Sequence, residues 1–340
     1  PFTMTYTTEL PSDSAPQHGE RIRHHRIATA LEECELMLEA GINANLLAVC
    51  GPTGVGKSTL GEFLVELEFQ NQAKSLVENP AAVPAIRIEA PSSGEREFSW
   101  RLFFERIMRG LEGDLDLPRS TYGVDPASNI AVRQRGPRPH RLSDLRTAVE
   151  RSLQHRHTRF IVVDEAAHLI RQCHPRRMEQ QLDTLKSLSN ECGVQWILLG
   201  SYDLFELVSL SGQLARRTHV IHFSRYRQDN ETDVKMFKAC IVKLQKSMLA
   251  LQDLDLLKYT PVFIENTLGC IGTLRTVLVR LSLQVKKHGW SEDALRAALL
   301  TEAQMTQILH EIVDGEQRIA PGIQRSLALS TYRPVTKRVA

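Results

Sequence analysis

The strongest signal in the sequence is the stretch Gly51-Pro52-Thr53-Gly54-Val55-Gly56-Lys57-Ser58. It has the pattern G-x-x-x-x-G-K-[ST] at every fixed position. The apolar run 46–50 before it is typical of a buried strand, and residues 59–66 after it indicate a helix. Glycines in such a loop let successive backbone N–H groups turn toward phosphate oxygens, and the helix N-terminus adds partial positive charge. The flanking strand and helix favour a phosphate site over a glycine-rich turn that fits the pattern by chance.

This phosphate loop (residues 51–58) predicts a nucleotide site with defined roles. Lys57 is expected to reach the β- and γ-phosphates, and the Ser58 hydroxyl is expected to bind Mg²⁺. The predicted cofactors are therefore ATP and Mg²⁺. The predicted cofactor-binding residues of this segment are Gly51, Pro52, Thr53, Gly54, Val55, Gly56, Lys57, Ser58 and Thr59.

A second apolar run, residues 159–163, ends in the acidic pair Asp164-Glu165. Such a run places carboxylates at the C-terminal edge of a parallel sheet, where open α/β folds bind ligands. Asp164 is expected to hold the metal directly or through water, and Glu165 to orient and polarise the attacking water. A strand followed by a solvated acidic turn is the alternative, which the phosphate loop upstream disfavours.

Composition limits the class of protein. The chain has 340 residues, of which 42% are apolar and 24% are charged, as in a soluble globular protein of one large or two ordinary domains. No apolar stretch approaches the roughly 18 residues that span a bilayer, and the first residues lack a secretion signal. Six scattered cysteines without C-x-x-C spacing indicate free thiols and a cytoplasmic location, with no membrane partner. The net charge of +2 does not by itself argue for nucleic acid.

Strand and helix patterns alternate through residues 21–226, which predicts a parallel sheet covered by helices on both faces. Residues 1–20 are expected to form a flexible arm, and residues 114–140 a long loop. Only helical patterns follow residue 226, so a separate helical domain is predicted over 227–313, with a tail over 314–340. The predicted helices cover 22–40, 99–111, 142–155, 178–192, 229–248, 273–287 and 291–313, and the further strands cover 85–90, 193–200 and 219–223.

A phosphate-loop sheet followed by a small helical domain resembles the AAA+ ATPases. The resemblance implies an α/β fold of the AAA+ P-loop NTPase type with a helical lid. Ser201, after a strand, stands where that superfamily has its sensor 1 residue, which hydrogen-bonds the γ-phosphate or the attacking water. Arg275, near the start of a lid helix, is the candidate for sensor 2. A plain serine after a strand and a solvated helix arginine are the respective alternatives.

Longer strings carry a narrower resemblance. Residues 162–170 read VVDEAAHLI, residues 182–191 read LDTLKSLSNE, residues 198–201 read LLGS and residues 213–217 read QLARR. This order resembles the TnsC/TniB family of transposition regulators over roughly residues 25–285. It implies an arginine finger at Arg217 that acts on the nucleotide of the neighbouring subunit. The family usually has an aromatic residue next, but Thr218 follows here, so Arg216 is the alternative finger.

The same resemblance implies partners. Proteins of this family bind ATP, form homo-oligomeric rings or helical filaments on double-stranded DNA without sequence specificity, and connect a target selector to a transposase. The selector is TniQ- or TnsD-like, in some systems with a CRISPR effector, and the transposase is TnsB-like. The alternatives are a replication-initiator or clamp-loader-like AAA+ ATPase, and a STAND-type signalling NTPase without DNA binding. The residues alone support a self-assembling Mg²⁺-ATPase.

Arginines in three segments are candidates for DNA contact: one after the second strand, several in the long loop and several after the acidic pair. A solvated surface is the alternative for each group. The candidates are Arg96, Arg133, Arg135, Arg138, Arg171, Arg176 and Arg177.

Overall fold

A computed structural model describes residues 21–39, 46–92, 98–112, 122–124, 131–133, 141–171, 175–206 and 218–319. The first part of the chain alternates strands and helices. Its elements are α1 (His25–Glu39), β1 (Leu46–Cys50), α2 (Lys57–Asn71), α3 (Ala73–Glu78), β2 (Ala85–Glu89), α4 (Trp100–Glu112), β3 (Tyr122–Val124), β4 (Ala131–Arg133), α5 (Leu142–His155), β5 (Phe160–Asp164), α6 (His168–Arg171), α7 (Pro175–Cys192), β6 (Gln195–Gly200), a 3₁₀ turn (Tyr202–Phe205) and β7 (Thr218–His222).

Five strands form a parallel sheet in the order β2-β5-β6-β1-β7. The strands β1, β5 and β6 are nearly continuous apolar runs because helices cover both faces of the sheet. Leu46 and Ala48 of β1 join the core under α4, α5 and α7, whereas Leu47 and Val49 join the core under α1 and α2. The predicted parallel sheet is confirmed.

Helices alone make up the second part. They are α8 (Glu231–Lys246), α9 (Thr260–Asn266), α10 (Ile271–His288), α11 (Glu292–Ala298) and α12 (Glu302–Ile319). Asn230 begins α8 as an N-cap, because its side-chain oxygen accepts from the backbone N–H groups of Thr232 and Asp233. This part has a core of its own, with Phe237, Phe263 and Leu278 fully buried. Among the helices that the structure describes, none combines the length and apolarity that crossing a bilayer requires.

Some sequence predictions differ from the structure. The loop predicted over 114–140 contains the antiparallel pair β3 and β4. The helix predicted over 291–313 is two helices. They are separated at Leu300, because the side chain of Asn266 forms hydrogen bonds with both the N–H and the carbonyl of that residue. Asn266 Nδ2 donates to Leu300 O at 3.0 Å, and its Oδ1 accepts from Leu300 N at 2.9 Å. The hydroxyl of Thr301 then accepts from Gln304 N at 3.4 Å and begins α12.

The last helix returns to the sheet. α12 continues to Ile319, beyond the boundary predicted at residue 313, and Gly315 packs so closely on the ring of Tyr202 that a Cβ would collide with it. Arg225, just after β7, donates to both carboxylate oxygens of Glu316 at 2.8 and 3.3 Å. Both side chains are 19% exposed. The helical part is therefore held to the α/β part through α12.

We expect Glu316→Ala to lower the free energy of unfolding by about 2 kcal/mol, because it leaves the mostly buried Arg225 guanidinium without its carboxylate. Urea denaturation measures the change. The control is Asp293→Ala, which removes an almost fully exposed partner 3.8 Å from Arg296 and should change stability by less than about 0.5 kcal/mol. Equal losses in the two variants would show that the Arg225–Glu316 pair does not hold α12.

Candidate functional site

The phosphate loop connects β1 to α2. Gly54 and Gly56 have φ values of 78° and 115°, in the left-handed region that glycine adopts without a steric penalty. Gly56 is also the N-cap of α2, and Leu60 N donates to Gly56 O at 3.0 Å. The glycines of the sequence pattern therefore stand where the backbone turns into the helix.

The ammonium group of Lys57 lies over the start of the loop. Its Nζ donates to Gly51 O at 2.9 Å and to Pro52 O at 2.8 Å. Burial lowers the pKa of Lys57, and the negative charges of Glu165 and Asp164 act in the opposite direction. The predicted cation and both predicted carboxylates thus occupy one site.

Strand register explains why these residues meet. β6 lies between β5 and β1, so the ends of the three strands are adjacent at the carboxyl edge of the sheet. Gly51 N donates to Gly200 O at 3.3 Å, and Ala166 N donates to Leu199 O at 2.9 Å. The phosphate loop, the acidic pair and Ser201 therefore stand side by side.

Asp164 is only 3% exposed, and protein donors engage both of its oxygens. Glu165 N donates to Oδ1 at 3.0 Å, and the guanidinium of Arg87 donates to Oδ2 at 2.7 Å. Arg87 also donates to Glu62 Oε1 at 3.4 Å. Arg87 is a residue of the site that the sequence reasoning missed. The only sequence signal was a lone arginine in the strand β2, because the pairing of β2 with β5 cannot be read from the pattern.

Glu165 has a left-handed backbone with a φ of 50°. A non-glycine residue in this region costs on the order of 1 kcal/mol and is found preferentially at functional sites. His168 N donates to Glu165 O at 3.0 Å, which closes the turn into α6. The exposed Glu165 side chain therefore stands on a fixed turn beside the buried Asp164.

Ser201 borders a cavity of about 220 Å³ beside the phosphate loop. Its hydroxyl donates to Asp203 Oδ2 at 3.3 Å. Pro52 and Thr53 form the loop side of the cavity, and α12 forms the opposite side. The predicted sensor 1 residue is thus next to the start of the loop.

A second cavity lies at the other end of the loop. Its walls include Gly56, Thr59, Ile22, Ile271 and Arg275, so the predicted sensor 2 residue also lies beside the loop. The helical part and the segment before α1 together enclose this side.

His24 forms one wall of this second cavity. It is only 6% exposed, and its Nδ1 is 3.0 Å from the Tyr226 hydroxyl. Its Nε2 lies 3.8 Å from the position that a Cβ on Gly56 would occupy. Burial lowers the pKa of His24 to about 4, and Arg26 and Lys243 act in the same direction.

The donor set suits Mg²⁺. The Ser58 hydroxyl and the Asp164 carboxylate are hard oxygen donors, which Mg²⁺ prefers together with water and phosphate oxygens. No cluster of three or more His, Cys, Asp or Glu that could hold a metal occurs among the described residues. A metal that takes most of its ligands from phosphate and water needs no such cluster.

Several predicted residues cannot be compared with this geometry. Arg96, Arg135, Arg138, Arg216 and Arg217 lie outside the described residues, and so do the side chains of Arg133, Arg171, Arg176 and Arg177. Their predicted roles stay predictions.

Comparison with known proteins identifies the fold. Residues 42–208 match the family described as AAA domain. The chain has an AAA+ P-loop fold. The curated proteins include none whose sequence matches it.

Three solved structures share this fold. The chain is 14% identical to the ORC2 protein of Aeropyrum pernix, in complexes with ADPNP and ADP, with a TM-score of 0.53 over 83% of this chain and 68% of that one. It is 16% identical to a Walker-type ATPase of Pyrococcus abyssi, with a TM-score of 0.51 over 85% and 75%. It is 16% identical to Cdc6p of Pyrobaculum aerophilum, with a TM-score of 0.51 over 81% and 65%. At these identities the likeness concerns the fold alone.

We expect His24 to make the AAA+ fold sensitive to acid. Below about pH 6.5 the unfolded chain takes up a proton at this histidine, whereas the folded chain does not until about pH 4, so stability falls as the pH drops through this window. His24→Gln should reduce the loss of unfolding free energy between about pH 7.5 and about pH 4.5 by about 2 kcal/mol, measured by urea denaturation. An unchanged loss would contradict a neutral, buried His24.

Proposed function

We propose that the chain is a Mg²⁺-dependent ATPase. The observation that carries this proposal is the convergence of three sequence-predicted elements at one edge of the sheet. The phosphate loop follows β1, the acidic pair follows β5 and Ser201 follows β6, on adjacent strands. An AAA+ domain is in general a nucleotide-hydrolysing unit, which supports the proposal.

Each residue of the candidate site has its own chemical role in the proposed reaction. In this proposal the loop N–H groups and Lys57 bind the phosphates, and Ser58 and Asp164 would hold Mg²⁺, with Asp164 acting directly or through water. When bound, the metal would neutralise negative charge on the phosphates. Glu165 accepts the proton of the attacking water, and Ser201 hydrogen-bonds that water or the γ-phosphate. Lys57 then stabilises the charge on the transferred group.

Hydrolysis is proposed to need a second copy of the chain. Thr218 pairs with Leu46 at the start of β1, whereas the phosphate loop begins after Cys50 at the other end of that strand. At the usual rise of a strand this separation is about 16 Å. The start of β7 therefore lies away from the phosphate loop, and the resemblance to the TnsC/TniB family implies an arginine finger that acts on the nucleotide of a neighbouring copy. Such a contact is head-to-tail and generates rings or open helices.

We further propose that the ATP-bound chain assembles on double-stranded DNA as a regulator of transposition, between a target selector and a transposase. The strings at 162–170, 182–191 and 213–217 support this choice. The replication-initiator alternative draws on the same ATPase residues and on the fold shared with ORC2 and Cdc6p.

Three experiments separate these functions. Electron microscopy with duplex DNA and a slowly hydrolysed ATP analogue should show rings or filaments, and duplex binding should weaken steeply with salt. An absence of salt-dependent DNA binding would favour a STAND-type switch. Binding of a purified TnsB-like transposase to the DNA-bound assembly would support the transposition role, and its absence would favour an initiator.

Glu165→Gln should bind ATP but hydrolyse it at least ~100-fold more slowly, because it removes the base and keeps the shape of the side chain. Single-turnover hydrolysis and a binding titration measure the two effects. Lys57→Ala is the matched control, and it should lose nucleotide binding itself. Wild-type turnover in Glu165→Gln would show that another residue positions the water.

Arg217→Ala should keep ATP binding by the monomer and lose hydrolysis and cooperative assembly. Mixing Arg217→Ala with Lys57→Ala subunits should restore part of the ATPase activity, because some junctions then join an intact phosphate loop to an intact arginine. If mixtures of Arg216→Ala with Lys57→Ala recover activity and mixtures of Arg217→Ala with Lys57→Ala do not, the finger is Arg216. If neither mixture recovers any, the trans arrangement is wrong.

A further inference from the structure

The N-terminus of α10 is capped by the phosphate loop. The first N–H groups of a helix have no partner within the helix, and the N-cap residue here, Cys270, provides no side-chain hydrogen bond. Gly272 N instead donates to Gly54 O at 2.7 Å. The helical part thus touches the backbone of the loop itself.

Two glycines make this contact possible. A Cβ on Gly272 would lie 2.6 Å from Gly54 O and 3.2 Å from its carbonyl carbon. A Cβ on Gly54 would collide with the hydroxyl of Thr273. Glycine in a helix costs about 0.5–1 kcal/mol relative to alanine, so Gly272 disfavours α10 as a helix and permits the close approach.

The contact fixes the direction of a neighbouring donor. A peptide group is planar and trans, so the Gly54 carbonyl and the Val55 N–H point in opposite directions. With its carbonyl turned to α10, this peptide turns the Val55 N–H into the loop, where Val55 N donates to Pro52 O at 3.4 Å. A hydrogen bond of this length is weak, so a phosphate oxygen can replace Pro52 O as the acceptor. Backbone N–H groups that converge inside such a loop are the donors to phosphate.

We propose that Gly272 is a positioning residue for phosphate binding: its N–H holds the Gly54 carbonyl toward α10 and so keeps the Val55 N–H turned into the loop. The inference rests on the proposed ATP binding and adds a residue that prepares the loop for it. Linkage is reciprocal, so phosphate bound in the loop also stabilises the hydrogen bond from Gly272 N to Gly54 O.

The first test is Gly272→Ala. The added methyl group pushes α10 off the loop, and the affinity for ADP and for a slowly hydrolysed ATP analogue should fall about tenfold. The control is Gly110→Ala, another helical glycine, whose Cβ would meet Ile86 only at an ordinary 3.4 Å. The control should keep wild-type affinity. Wild-type affinity in Gly272→Ala, with α10 still folded, would overturn the inference.

The second test needs no variant and covers the case in which Gly272→Ala fails to fold. Inorganic pyrophosphate with Mg²⁺ fills the phosphate loop without a base or ribose. It should slow hydrogen exchange of the Gly272 amide in the wild-type chain about tenfold. Binding of pyrophosphate without slower exchange of the Gly272 amide would overturn the inference. A wild-type chain that binds neither pyrophosphate nor nucleotide would instead contradict the proposed function.

Discussion

The pairing of β1 with both of its neighbours is the interaction on which the candidate site depends. The backbone hydrogen bonds continue beyond the strand, from Gly51 N to Gly200 O at 3.3 Å and from Phe223 N to Cys50 O at 2.8 Å. The phosphate loop therefore starts from a point held on both sides in a buried sheet. Because β6 is one of these neighbours, the same pairing brings Ser201 to the loop, and the pairing of β6 with β5 brings the acidic pair. A slip of one residue in β1 would exchange its two buried faces and displace the loop.

Charge compensation is the second constraint. Asp164 is buried, and an ionised carboxylate without partners is strongly unfavourable in such a position. Arg87 and the Glu165 N–H supply these partners, and Arg87 is held in turn by Glu62. Glu165 contributes to this network through its backbone rather than its side chain. The Glu165 side chain can therefore be changed without removing the partners of Asp164, which makes Glu165→Gln an informative test of the proposed catalytic role.

The sequence predicted the parts of the site that depend on local patterns. The phosphate loop, the acidic pair and the strand before Ser201 are each read from fewer than ten consecutive residues, and the parallel sheet follows from their alternation with helices. Contacts between distant segments could not be read in this way. Arg87 reaches Asp164 only because β2 pairs with β5, and the side chain of Asn266 separates α11 from α12 across 34 positions of sequence. The arginine finger was inferred from a family string and lies outside the described residues, so its role stays a prediction.

The helical part borders the candidate nucleotide site on two sides. α10 contacts the phosphate loop at Gly54, on the side where His24 and Arg275 form the second cavity. α12 contacts Tyr202 and Arg225, on the side where Ser201 borders the first cavity. Between them, Asn266 ties α9 to the start of α12. A displacement of the helical part as one body would therefore change both cavities, because α10 borders one of them and α12 borders the other.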